Sequence, residues 1–146
     1  MASDRFCCDN MINEKHLPEL ILDSSFLMHM AKKTVLGMER ISDWAVETVV
    51  LEDITRELDG IKNNQDSVQS ARAAALASQY AKNLRSVSHA GHMPVDEKLI
   101  AYAEEHGAMV ATLDVDLRKK LLNKGIPVVS LKNERAIMLL PKQRRP

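Results

Sequence analysis

The sequence predicts an α/β fold, a single domain of three layers (α/β/α) with a central, mainly parallel sheet. Two observations carry this. The chain has 146 residues, 45% of them hydrophobic and 27% charged, which suits one globular core. From Asp96 to Leu131, helical and β-rich stretches alternate α–β–α–β with short connections. Such a series builds parallel strands with helices on both faces. The domain takes in residues 1–146, with a core over about 19–140, a polar lead-in over 1–18 and a basic tail over 141–146. One helical turn is allowed in the lead-in.

The elements follow in order. The apolar burst ELILD, residues 19–23, is the first strand. Ser24 or Ser25 then caps a helix over FLMHMAKK, where Phe26, Leu27, Met30 and Ala31 keep helical spacing. TVVL, 48–51, is a β-branched second strand. EDITRELDGIK sets Ile54, Leu58 and Ile61 on one helical stripe. NNQDS breaks the pattern. An Ala-rich helix of high propensity follows over 67–87. SHAGHMP is a loop, Asp96 opens the helix DEKLIAYAEEH, and Gly107 closes it. MVATL, 109–113, is a strand, and DLRKKLLNKG a helix ended by Gly125. PVVSL is another strand, and AIML a short edge strand.

Several function classes are disfavoured. Twenty basic residues balance 20 acidic ones, so bulk charge does not hold the chain to nucleic acid, although a local patch can. Arg118, Lys119, Lys120 and Lys124 form one such cluster, and the tail PKQRRP adds positive charge. The alternative is a solvated helix face. No apolar run approaches the roughly 20 residues of a membrane span, and the start, MASDRFCCDN, has no apolar signal region. Cys7 and Cys8 are adjacent, a spacing that suits neither a disulfide nor a zinc knuckle. Reduced thiols and a cytoplasmic location are expected. No glycine-rich nucleotide loop occurs.

The informative residues are acids at strand ends. In an open parallel sheet, ligands bind beyond the carboxyl ends of the strands. Asp23 closes the first strand, where β-propensity disfavours Asp. Asp114 and Asp116 follow MVATL directly. Asp96 starts the helix that feeds that strand, so it begins near the same edge. Glu57 borders the buried stripe of its helix. Two carboxylates about 4 Å apart repel by roughly 4 kcal/mol at an effective dielectric near 20. A cluster of them is tolerated with shared protons or a bound cation, and hard oxygen donors suit Mg²⁺ or Mn²⁺. Each acid also has a plainer reading. Asp96 caps its helix, one of Asp114 and Asp116 caps the next, and Glu57 is a surface residue. His89 and His92 lie in the loop before Asp96 and are weak catalytic candidates.

Taken together, the sequence resembles the PIN-domain family of metal-dependent ribonucleases. The resemblance rests on ILDSSFL with Asp23, VVLEDITREL with Glu57, DEKLIAYA with Asp96 and TLDVDL with Asp114, all in order over roughly residues 19–131. Where many members carry Asn, this chain has Ser25 and Leu113. The resemblance implies catalysis by Asp23, Glu57, Asp96 and Asp114. It implies Mg²⁺ or Mn²⁺ held by Asp23, Asp96 and Asp114, with Asp116 a further ligand or the cap of the next helix. Glu57 would bind through water or orient it, and Ser24 or Ser25 would hydrogen-bond a carboxylate. Arg118, Lys119, Lys120 and Lys124 would hold RNA. GIPVVSL and the stretch after Asp114 look more like the ribosomal-RNA-maturation branch than the toxin branch. The implied partners are RNA, a second copy in a homodimer, and an antitoxin or a ribosome-assembly protein, with no membrane.

Two rivals belong to other classes. A phosphoacceptor signalling domain would want an acidic pair at the first strand, and Asp23 has no acidic neighbour. A PIN fold that binds RNA without cutting it is the stronger rival, and the retained acids speak against it.

Overall fold

The computed structural model describes residues 17–63 and 67–141. Cys7, Cys8, the lead-in through residue 16 and the Arg144–Arg145 tail lie outside the described residues. The elements run β1 (Glu19–Leu22), α1 (Ser24–Lys32), a 3₁₀ turn (Met38–Arg40), α2 (Ile41–Trp44), β2 (Glu47–Leu51), α3 (Glu52–Lys62), α4 (Val68–Ala81), β3 (Arg85–Val87), α5 (Val95–His106), β4 (Met109–Ala111), α6 (Val115–Asn123), β5 (Val128–Lys132) and β6 (Ala136–Leu140).

The six strands form one sheet in the order β3-β2-β1-β4-β5-β6. All neighbours are parallel except β6, which pairs antiparallel with β5 at the edge. The expected fold class is therefore the observed one. Past their polar first residues, Glu19 in β1 and Glu47 and Thr48 in β2, the central strands are apolar because helices cover both faces. Leu20, Ile21, Leu22, Val49, Val50, Leu51, Val110 and Ala111 are all essentially inaccessible. On α3, Ile54 and Leu58 are fully buried. Burial of each contributes about 1.5–3 kcal/mol, which outweighs the roughly 1 kcal/mol that Gly60 costs the same helix.

The topology fixes where a site can form. β1 lies between β2 and β4, with Leu22 level with Val50 on one side and Ala111 on the other. The carboxyl ends of these three strands therefore share one edge. The chain leaves them into α1, α3 and α6, while α5 begins at that edge to feed β4.

Four sequence expectations need correction. The Ala-rich helix ends at Ala81, and Arg85–Val87 is an edge strand beside β2. High helix propensity to the N-terminal side conceals a strand of only three residues. No element was expected between Lys33 and Thr48, where the 3₁₀ turn and α2 stand. MVATL is strand only to Ala111, although the Thr112 amide still donates to the Val129 carbonyl at 3.1 Å. Neither Ser24 nor Ser25 caps α1. The helix begins at Ser24, with Asp23 in the cap position and no side-chain cap bond. Both hydroxyls are spent on carboxylates instead.

Candidate active site

A pocket of about 440 Å³ opens at the carboxyl edge of the sheet, lined by Asp23, Ser24, Ser25, Glu57, Pro94, Val95, Asp96 and Asp114. Four of the sequence-singled acids thus meet at one place, each from a different segment. Two other hollows, about 360 and 270 Å³, lie between α1 and α4 and carry no carboxylate.

Asp23 is the most constrained of the four. It is 5% exposed, and its amide donates to the Ala111 carbonyl at 2.9 Å. Its Oδ2 accepts from Ser25 Oγ at 2.7 Å and from Thr112 Oγ1 at 2.7 Å. Each hydroxyl in turn accepts a backbone amide. Leu113 N–H donates to Ser25 Oγ at 3.0 Å, and Asp114 N–H donates to Thr112 Oγ1 at 3.1 Å. A hydroxyl has one proton to give, so both protons go to Asp23, and the 3.3 Å approach of the two hydroxyl oxygens is not a donation. The network fixes the Asp23 carboxylate and leaves its Oδ1 for the pocket.

Asp114 takes the cap position that the sequence left open between it and Asp116. It is the N-cap of α6, and its Oδ1 accepts from Asp116 N–H at 2.9 Å and Leu117 N–H at 3.2 Å. Its Oδ2 has no such partner among the described residues. Of the two acids that could cap the helix, Asp114 does so and Asp116 does not. The strand ends two residues early, which moves the helix start forward and gives Asp114 the cap geometry. Asp116 sits in the first helical turn, exposed, and does not line the pocket.

Asp96 is the second residue of α5, whose cap position is Pro94, so it is not the cap of its helix. Glu57 lies on α3 and accepts from Ser24 Oγ through Oε2 at 3.3 Å. Both are exposed residues overall, with carboxyls that line the pocket. Burial raises the pKa of Glu57, opposed by the Ser24 hydrogen bond and reinforced by the charges of Asp23 and Asp96. Burial also raises that of Asp96, reinforced by Asp23 and Asp114 and opposed by Lys120. The charges of Asp23 and Asp96 thus act on Glu57, and those of Asp23 and Asp114 on Asp96. Among the described residues, no three His, Cys, Asp or Glu side chains stand close enough to hold an ion as they are. The acids line a pocket and do not form a preformed chelate. The donor set nonetheless fits a hard divalent cation. It offers only carboxylate oxygens, two of them left over by the Asp23 and Asp114 networks.

The basic residues do not form one face. Successive helical residues turn about 100°, so Arg118, Lys119 and Lys120 fan out around α6. Lys120 is the one whose charge reaches Asp96. Lys124 lies 3.7 Å from Glu104 on α5. His89 pairs with Glu105 at 3.1 Å, away from the acids. Sequence reasoning missed Thr112 as a site residue. The signal in the sequence was a threonine two residues before Asp114, at the end of an apolar strand; the structure buries it fully.

A parallel sheet with acids from four segments at its carboxyl edge is the architecture of the PIN-like domain family, and this chain belongs to it. The family model, described as a PIN-like domain, matches residues 20–134. Among curated proteins the chain is similar to Ribonuclease VapC4 of Methanocaldococcus jannaschii, with 28% identity over 122 residues, covering 80% of this chain and 92% of the relative.

Proposed function

We propose that the protein is a Mg²⁺- or Mn²⁺-dependent endoribonuclease, working in the cytoplasm, that hydrolyses RNA phosphodiester bonds at the acidic pocket. One observation carries this reading, namely four carboxylates from four segments lining a single pocket at the sheet's carboxyl edge. Family membership and the name of the similar ribonuclease support it.

Asp23 and Asp114 would hold the ion through the oxygens their hydrogen bonds leave over, with Asp96 beside them. A divalent ion bound there lowers the pKa of water and offsets charge on the phosphate. Ser25 and Thr112 keep Asp23 aimed. Ser24 holds one oxygen of Glu57, so the other can orient the attacking water and take its proton. Lys120, beside Asp96, would meet the phosphate, with Arg118, Lys119 and Lys124 further along the strand of RNA. Asp116, outside the pocket lining, would support Asp114 through its amide and has no direct place on the ion.

Two biological roles fit. Likeness to the VapC-type relative favours a toxin-type ribonuclease paired with an antitoxin. The GIPVVSL ending favours ribosomal RNA maturation with a ribosome-assembly partner. A homodimer suits either. The test of the reading is loss of labelled RNA with Mn²⁺ and its persistence with EDTA. Intact RNA under both conditions would leave a PIN fold that binds RNA without cutting.

A further inference from the structure

Glu57 and Asp96 reach the pocket from different helices, α3 and α5. Neither helix start is pinned by a side-chain cap. Both acids carry charge of the same sign into one hollow, which pushes the helix ends apart. Something must set their separation.

Asp53 and Lys98 bridge the two helices. Lys98 Nζ donates to Asp53 Oδ2 at 2.8 Å, and each side chain is only 14% exposed. Among the described residues, no other hydrogen bond or ion pair joins α3 to α5. The placement relative to the acids is close. Asp53 precedes Glu57 by four residues, so the two stack on one face of α3, a turn apart. Lys98 follows Asp96 by two residues in the first turn of α5, leaving the helix from a different side, so it acts on Asp96 through the helix backbone. Asp53 also has Arg56 Nη2 at 3.3 Å, but Arg56 belongs to the same helix and is 65% exposed. That contact cannot fix one helix against the other.

We propose that Asp53 and Lys98 are positioning residues, a cross-helix clamp that sets the separation of Glu57 and Asp96 and thereby the pocket's affinity for a divalent cation. This rests on the metal-dependent reading above. The pair does not touch the ion or RNA. It acts through the two acids, as outer partners of ligating carboxylates do at other metal sites.

The experiment is calorimetric titration of the full chain with Mn²⁺, without RNA, alongside a melting curve of each variant in EDTA. Asp53→Asn and Lys98→Gln should each weaken Mn²⁺ binding by about 10–100-fold. The double variant should be no worse than either single, because one interaction is lost only once. Lys98→Arg should recover most of the affinity, and this charge-keeping variant carries the test if Lys98→Gln fails to fold. Arg56→Gln should stay within about twofold of the parent, since Arg56 is itself exposed and its ion pairs, to Glu52 and Asp53, both lie within α3. Lowered melting temperatures with unchanged Mn²⁺ affinity would make the pair purely structural and overturn the clamp. Additive losses in the double variant would overturn it as well. A parent that binds Mn²⁺ and cuts RNA, with unaltered variants, would sink the clamp and leave the nuclease reading standing. A parent that binds no Mn²⁺ would sink both.

Discussion

Thr112 donates a 2.7 Å hydrogen bond to Asp23, a residue 89 positions earlier in the chain. The two belong to neighbouring segments of the sheet edge, one leaving β4 and the other leaving β1. The same hydroxyl oxygen receives the Asp114 amide. One buried threonine therefore ties together the two acids with the best claim to a metal.

Thr112→Val should test that link. Valine keeps the shape and removes the hydroxyl. The Asp114 amide and Asp23 Oδ2 each lose a partner, at a cost of about 1–3 kcal/mol. A denaturant midpoint unchanged from the parent would contradict the network. Mn²⁺ binding should weaken, because Asp23 is then held by Ser25 alone.

Asp114→Asn and Asp116→Asn should separate cleanly. Asn caps helices about as well as Asp, so Asp114→Asn keeps α6 and the circular dichroism spectrum while losing metal-dependent cleavage. Asp116→Asn should retain most activity, since its side chain lies outside the pocket. If only the Asp116 variant were inactive, the assignment of the two acids would be reversed.

Stability of the metal-free protein should depend on pH through Glu57 and Asp96. Both folded-state pKa values are raised, so the folded state holds these protons more tightly than the unfolded chain. Below the ordinary carboxylate range both are neutral and there is no penalty. As pH rises from there through the raised folded values, stability falls, then levels off. Melting curves in EDTA across this window should show the decline, and Asp96→Asn should flatten it. Mn²⁺ should reverse the trend, because a ligand of the native state adds stability. A parent curve that rises through the same window would refute the repulsion among these acids.

Charge reversal on α6 should be position-dependent. Lys120→Glu should weaken RNA binding measured in EDTA more than Lys119→Glu, because among the basic residues of α6 it is Lys120 whose charge acts on Asp96. The salt dependence of binding should drop with the Lys120 change. Equal effects of the two variants would mean that RNA follows the outer face of the helix instead.

Much of this was legible in the chain. The alternation from Asp96 to Leu131 revealed the parallel sheet, because strands buried on both faces read as unbroken apolar runs. Asp23, Glu57, Asp96 and Asp114 could be picked out because strand ends converge in such sheets. The failures were local. Two acids spaced by one residue look alike to a pattern, and the choice of cap depended on where β4 stops. Arg85–Val87 was hidden by its helical neighbourhood. Asp53 and Lys98 carry no signal of their own in the sequence, since nothing in one dimension says that Lys98 reaches Asp53 across the sheet edge.

The placement of β1 between β2 and β4 has a consequence for the order of events during synthesis. Leu22 pairs with Ala111, so the first strand waits for a neighbour made near the end of the domain. A nascent chain that has emerged only as far as α4 carries Asp23 and Glu57 but neither Asp96 nor Asp114. Thr112, which orders Asp23, is also missing. Domains complete such long-range pairings only once the distant segment is free. The pocket is thus assembled late, and a partial chain beside the ribosome holds an incomplete set of acids.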